Sequence, residues 1–363
     1  NKDKQQSGGA PVLVLDVGSD VTCFRNRNDE AQGSVIASTK ASKAMIEPAG
    51  VRNYWFSVDW LNRRLRFGKG EMLQQLVVFE CRLPPVVTGE TDPYAFVAEL
   101  RNIALVDVPA DTALTHFLWP LPVTLDLPPS LVTSDAITLD DIGRNEHTVI
   151  VNLPAACQVL YGNVAGPAIQ LDTADFPEFS QAIERSIITP GCICHTKLEE
   201  KANEFGKYDP DGTYLRVTIG PNQGDSPGSP YVLEIWPGGH YSPIHDHGAA
   251  CAVIKVLHGS IWVELFPQLS PILLEYFSEA VFHEGDVTFL TPELYQIHRL
   301  RNRNPAGHMT ATIQCYRYPN DNTQHYEYFD YIGPTGIEHF TPNSDWEYLE
   351  FKSLIRREWA ERI

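Results

Sequence analysis

The chain has 363 residues, 43% of them hydrophobic, and a net charge of −18, with no Lys/Arg stripe, which argues against nucleic acid or an anionic membrane surface as a partner. This length predicts two domains, each able to bury a core, and no apolar run approaches the roughly 20 residues that span a bilayer. Seven cysteines at irregular spacings make no disulfide framework, and Asn1-Lys-Asp-Lys-Gln-Gln carries no apolar leader, so a reducing, cytoplasmic setting is expected.

In chain order, residues 1–10 read as a disordered tail. Short β-type runs follow at Val12–Val17, Ser34–Ser38, Tyr54–Asp59, Arg64–Phe67 and Leu76–Arg82, with turn residues such as Asn62, Gly68 and Gly70 between some of them. They predict a β-sandwich over 11–125 with no catalytic motif, a domain for interaction or support. Pro120–Pro129 is extended, because each proline disfavours helix in the residue before it. Residues 126–172 read as linker and extra strands, at Thr148–Asn152 and Ala168–Leu171. A helix is expected over Asp175–Ser186, opened by an acid and Pro177. Another runs from Thr196, boxed with Glu199, to Gly206. Asp345–Arg362, with acids early and arginines late, forms a closing helix that complements its dipole.

Between them lie strand-like runs at Arg216–Ile219, Tyr231–Trp236, His245–Leu257, Ile261–Phe266, Leu273–Phe277, Val287–Leu290 and Ala311–Tyr316. Short strands in such a series favour a sandwich or closed barrel. Within the third, strand alternation turns His245 and His247 to one face, where they present two imidazoles to one point. His298, on a later run, supplies a third. Cys192-Ile-Cys194-His195 has the look of a metal fragment, but zinc needs four ligands and no second pair follows.

This layout resembles a cupin. Gly239, His245, His247 and Gly259 keep all the spacings of the first cupin motif, and His298 with Asn302 ends the second, without its usual Pro-x-Gly. The fold expected is therefore mainly β, a C-terminal cupin barrel with a few helices over 173–363 behind an N-terminal β-sandwich. Most cupins carry a glutamate ligand where Ala252 stands, so the resemblance implies three neutral histidines, suited to Fe(2+) and a thiolate.

Trp236-Pro-Gly-Gly-His-Tyr-Ser-Pro-Ile-His-Asp-His247 is similar to the metal segment of the cysteine dioxygenase family, a likeness covering about residues 175–330. Tyr214-Leu-Arg216 resembles its Tyr-x-Arg, whose arginine holds the substrate carboxylate. Thr312-Ile-Gln-Cys-Tyr316 resembles its Ser-x-His-x-Tyr, with Tyr316 beside the iron. The implied reaction adds both atoms of O2 to the sulfur of cysteine or a related thiol carboxylate, giving a sulfinate. Gln314, in the place of a histidine, and His240, at the wrong parity to be a ligand, are expected to support the site. Animal members carry at the Ala252 position a cysteine bonded to the tyrosine. Here Cys251 stands one residue early, so no crosslink to Tyr316 is expected. A three-histidine cupin of other chemistry, a lyase or sulfoxide-forming enzyme, and a non-catalytic metal sensor remain the alternatives. At the other end of the chain, Tyr54-Trp-Phe-Ser-Val-Asp-Trp through Gly70 resembles the central hairpin of farnesoic acid methyltransferase-like modules.

Overall fold

The structure is a computed structural model describing residues 11–27, 33–46, 53–100, 127–220, 231–318 and 329–361. The expected tail at 1–10 and residues 120–126 of the proline-rich run lie outside the described residues. The chain divides into two compact units, Asn1–Asp126 and Leu127–Ile363.

The first unit holds two three-stranded antiparallel sheets. One is β1 (Val12–Val17), β2 (Thr22–Arg27) and β3 (Ser34–Thr39); the other is β4 (Tyr54–Asp59), β5 (Arg64–Lys69) and β6 (Val77–Arg82). Alternation sends Phe24 of β2 against Phe56 of β4 and Phe79 of β6, ring centroids 5.5 and 4.8 Å apart, and Leu65, Phe67 and Leu83 complete that core. Strand β2 was not anticipated, because Thr-Cys-Phe-Arg-Asn-Arg offers few apolar residues to alternate. The sandwich-like packing agrees with the expectation.

The second unit opens with β7 (Leu131–Val132), α1 (Leu139–Arg144), β8 (Thr148–Val149) and α2 (Ala155–Val164). The segment expected as linker and extra strands thus carries two helices, and Ile150–Asn152 is a 3-10 turn rather than strand. Ala168–Leu171 is not a strand either. There Gly166 and Ile169 turn their carbonyls to Lys255 Nζ, 3.0 Å from each, which satisfies backbone groups that no ladder pairs.

Next come α3 (Phe179–Ile188), α4 (Ile193–Lys201), β9 (Leu215–Ile219), β10 (Tyr231–Trp236), β11 (Cys251–His258), β12 (Ser260–Leu265), β13 (Ser278–His283), β14 (Val287–Leu290), β15 (His298–Arg301) and β16 (Thr310–Arg317). The chain closes with β17 (Phe329–Gly333), β18 (Gly336–Phe340), β19 (Trp346–Glu347) and α5 (Tyr348–Ala360). Helix α3 starts later than expected, and Asp172 accepts the Ser180 amide at 2.7 Å. Helix α4 starts earlier, so the Thr196 amide bonds Cys192 O inside the first turn and caps nothing. Leu273–Phe277 is not a strand: Pro271 and the Ser270 hydroxyl, accepting from the Ile272 and Leu273 amides, make a turn, and pairing begins at Ser278.

A six-stranded sheet, β14-β11-β16-β10-β9-β19, faces a smaller one of β13-β12-β15 with the β17-β18 hairpin. Period-two alternation splits the large sheet chemically. Leu215, Val217, Leu233, Ile235 and Ala311 face outward to Phe179, Ile183, Phe351 and Ile355 of α3 and α5. The inward face carries Arg216, Glu234, Thr312, Gln314 and Tyr316 beside apolar Trp236, Ala252 and Val256, so polar groups gather on the side of the sheet that faces the cavity. Among the described residues, no helix is long and apolar enough to cross a membrane.

Helix α5 is tied down by Asp175, which accepts from Thr173 Oγ1 at 2.6 Å, Lys352 Nζ at 3.2 Å and Arg356 Nη2 at 2.9 Å. The Thr173 hydroxyl, then the two cations, hold its carboxyl well below the usual range. A depressed carboxylate contributes stability above its unfolded value of about 3.9 and loses it as pH falls through the folded value. Asp175→Asn should therefore melt earlier than the parent at pH 7, with the gap closing below about pH 4 in calorimetric scans.

Candidate metal centre

His245, His247 and His298 converge, with their ligand atoms all within 4.8 Å of one another. The pair does not lie on a continuous strand as expected. His245 occupies isolated bridges to His298 and Tyr331, and Gly248 and Ala249, both at positive φ (56° and 63°), turn the chain before β11 begins.

Each ring's outer nitrogen decides what it offers. His245 Nδ1 lies 3.0 Å from Pro243 O and His298 Nδ1 3.0 Å from Tyr295 O. Donating there, both rings turn a bare Nε2 inward, the tautomer a metal ligand needs. His247 Nε2 sits 3.3 Å from His298 Nε2, and its buried Nδ1 has no partner among the described residues. Without a metal, the Nε2–H tautomer of His247 can donate to His298 Nε2, whereas the Nδ1–H tautomer turns both Nε2 lone pairs to one point, as a shared cation requires. Burial pushes all three imidazoles below their ordinary value, His298 to about 3, and repulsion from neighbouring histidines adds to the shift of His247 and His298. They are neutral, as metal binding requires. The residues present fit a divalent metal held by three histidines. A second cluster, Asp141, Glu146 and His147, is explained locally, since Asp141 accepts the Thr138 amide and completes the capping box of α1.

The other expected site residues line the same cavity: Tyr214, Arg216, Gln314 and Tyr316. Tyr214 stacks on Trp236, centroids 4.2 Å apart. The Tyr316 ring stacks on His247 at 5.6 Å, and its hydroxyl donates to Gln314 Oε1. Burial, then the Glu234 charge, pushes the Tyr316 phenol far above its ordinary value, so it stays protonated. His240 is absent from this lining; its Nδ1 lies 2.9 Å from Thr213 O, where it braces the approach to β9.

Sequence reasoning missed several contributors to the cavity, Glu234 and three hairpin aromatics among them. Glu234 faces Arg216 across the β9–β10 ladder, its Oε1 3.2 Å from Nη1. Its place at an inward position of β10, in register with Arg216, was the available signal. Phe329, Tyr331 and Phe340 come from the β17-β18 hairpin and close the cavity beside the histidines. Its Gly333-Pro-Thr-Gly336 turn between aromatic alternations could have revealed it.

Residues 251 and 252 take opposite faces of β11. Ala252 pairs with Tyr316 across the ladder and shares its face. Cys251 points outward toward α2, where Cys157 donates its thiol to Leu290 O at 3.7 Å, and both cysteines are free. We expect the intact mass of the purified protein to equal the sequence mass, with no loss of two hydrogens and no faster-running band on a denaturing gel.

No family model matches the chain. Among solved structures, it is similar to a cupin domain of an XRE-family transcriptional regulator from Enterobacter cloacae, at 12% identity over 30% of this chain and 98% of that one, TM-score 0.24. A protein with a double-stranded β-helix domain from Klebsiella pneumoniae is 15% identical over 33% and 90%, TM-score 0.24. An oxalate oxidase in complex with the substrate analogue glycolate is 14% identical over 32% and 54%, TM-score 0.24. The barrel is defined by the pairing of its own strands.

Proposed function

We propose that the C-terminal unit is a non-haem iron(II) thiol dioxygenase that adds both atoms of O2 to the sulfur of cysteine, or of a related thiol carboxylate, to give a sulfinate. One observation carries this reading: three neutral histidines meet with no carboxylate ligand joining them among the described residues, and Arg216 and Tyr316 face the same cavity. Iron held by His245, His247 and His298 would supply a Lewis acid that lowers the thiol pKa and a centre for dioxygen chemistry.

The chain's own residues do the rest. Carbonyls of Pro243 and Tyr295 fix two imidazoles so that their Nε2 lone pairs stay inward. Arg216 offers a planar guanidinium, the group best matched to a carboxylate. Tyr316, locked to the Gln314 amide, holds a protonated hydroxyl toward the cavity. Aromatic side chains of β17 and β18 exclude water, which strengthens every charged contact inside. The N-terminal unit is assigned interaction or support.

The test is oxygen uptake by iron-loaded protein with cysteine, homocysteine, cysteamine and 3-mercaptopropionate, with sulfinate identified by mass spectrometry. Uptake with a carboxylated thiol is expected. Four inert thiols would sink the proposal and leave a metal sensor or a different three-histidine chemistry.

A further inference from the structure

Glu234 is a buried carboxylate in the cavity, 4% exposed, and the metal chemistry does not use it. It sits on the inward face of β10, opposite Arg216 on β9 and Thr312 on β16. The contact with Arg216 is one hydrogen bond, Nη1 to Oε1 at 3.2 Å, rather than a two-pronged clamp. Arg216 Nε is buried without a partner among the described residues, as is Gln314 Nε2, which lies against Glu234 but makes no full hydrogen bond. The cavity therefore presents an unsaturated cation and an unsaturated anion side by side, next to the histidines.

A pair of this kind has no net charge to attract a simple anion. A thiol carboxylate lacking an amine would bring a second carboxylate beside Glu234 with a single guanidinium to serve both. A zwitterion brings its own countercharge. With its thiol at the histidines, an α-amino acid carries carboxylate and ammonium on one carbon, matching Arg216 and Glu234 on adjacent strands.

We propose that Glu234 is a specificity-determining residue that receives the substrate ammonium group, so that the site selects zwitterionic α-amino thiols over thiol carboxylates without an amine. This rests on the thiol reading of the site and narrows its substrate class.

The experiment is anaerobic calorimetric titration of the full-length, iron-loaded protein with L-cysteine and with 3-mercaptopropionate, repeated on Glu234→Gln. The parent should bind L-cysteine at least about tenfold more tightly, the worth of one hydrogen bond to a charged group. Glu234→Gln keeps the shape and removes the charge, and should erase that preference, raising Kd for L-cysteine and lowering it for 3-mercaptopropionate. Should the variant fail to fold, the parent alone decides. Equal affinity for the two thiols, or a preference for 3-mercaptopropionate, overturns the proposal, as does a preference that survives in folded Glu234→Gln, or binding of neither thiol. Selective binding of L-cysteine without oxygen uptake would leave the assignment of Glu234 standing while removing the dioxygenase reading.

Discussion

Metal retention should collapse in His247→Ala, with iron content falling from near one per chain to background by elemental analysis after dialysis. Nε2 of His247 is 3.3 Å from that of His298, so alanine removes one of three ligands. Loss of groups that only orient ligands typically costs 10–100-fold in metal affinity, and loss of a ligand itself should exceed about 100-fold by the same comparison. His245→Ala and His298→Ala should behave alike. His240→Ala should retain iron, because its ring turns to Thr213 rather than to the cavity. Full metal occupancy in the His247 variant would remove the three-histidine centre.

Arg216→Ala should be the most destabilising single change in the cavity, by about 3–5 kcal/mol, because it strands a buried carboxylate. Arg216 and Glu234 are 9% and 4% exposed. Burial pushes the Glu234 carboxyl up against the pull of Arg216. Burial opposes the Arg216 charge, yet Glu234 and the nearby phenols hold the guanidinium above its ordinary range. Removing Arg216 leaves an anion, or a proton taken up to avoid one. The double change Arg216→Met with Glu234→Gln should recover most of the loss, since a buried pair replaced together is often near neutral. Denaturant midpoints for the C-terminal unit check this. A double variant as unstable as Arg216→Ala would show that packing, not charge, sets the cost. The pairing also bears on function: activity lost in Arg216→Ala reports an uncompensated Glu234 as well as a missing carboxylate contact, so Arg216 is better tested beside the double variant.

Short runs rich in β-branched and aromatic residues were legible to the residue, as at Val12–Val17, Tyr54–Asp59, Tyr231–Trp236 and Val287–Leu290. Errors fell where side chains bonded to backbone decide the outcome. Ser270 converts an apolar run into a turn, and the early start of α4 takes Thr196 out of the capping position. Helix α2 went unread because Ala-Ala-Cys-Gln-Val-Leu-Tyr-Gly is only weakly amphipathic, and its stability comes from packing on β11 and β16.

The sequence by itself put His245 and His247 on one face, because a two-residue spacing in extended chain dictates which side chains point together, while resemblance to cupins and cysteine dioxygenases singled out His298, Ala252, Arg216 and Tyr316. Tertiary structure alone decided the partners across strands. Strand register put Glu234 against Arg216 and turned Cys251 away from Tyr316, and a distant hairpin brought Tyr331 to His245. Those contacts join residues far apart in the chain, where loop lengths and sheet register, rather than local pattern, choose the neighbour.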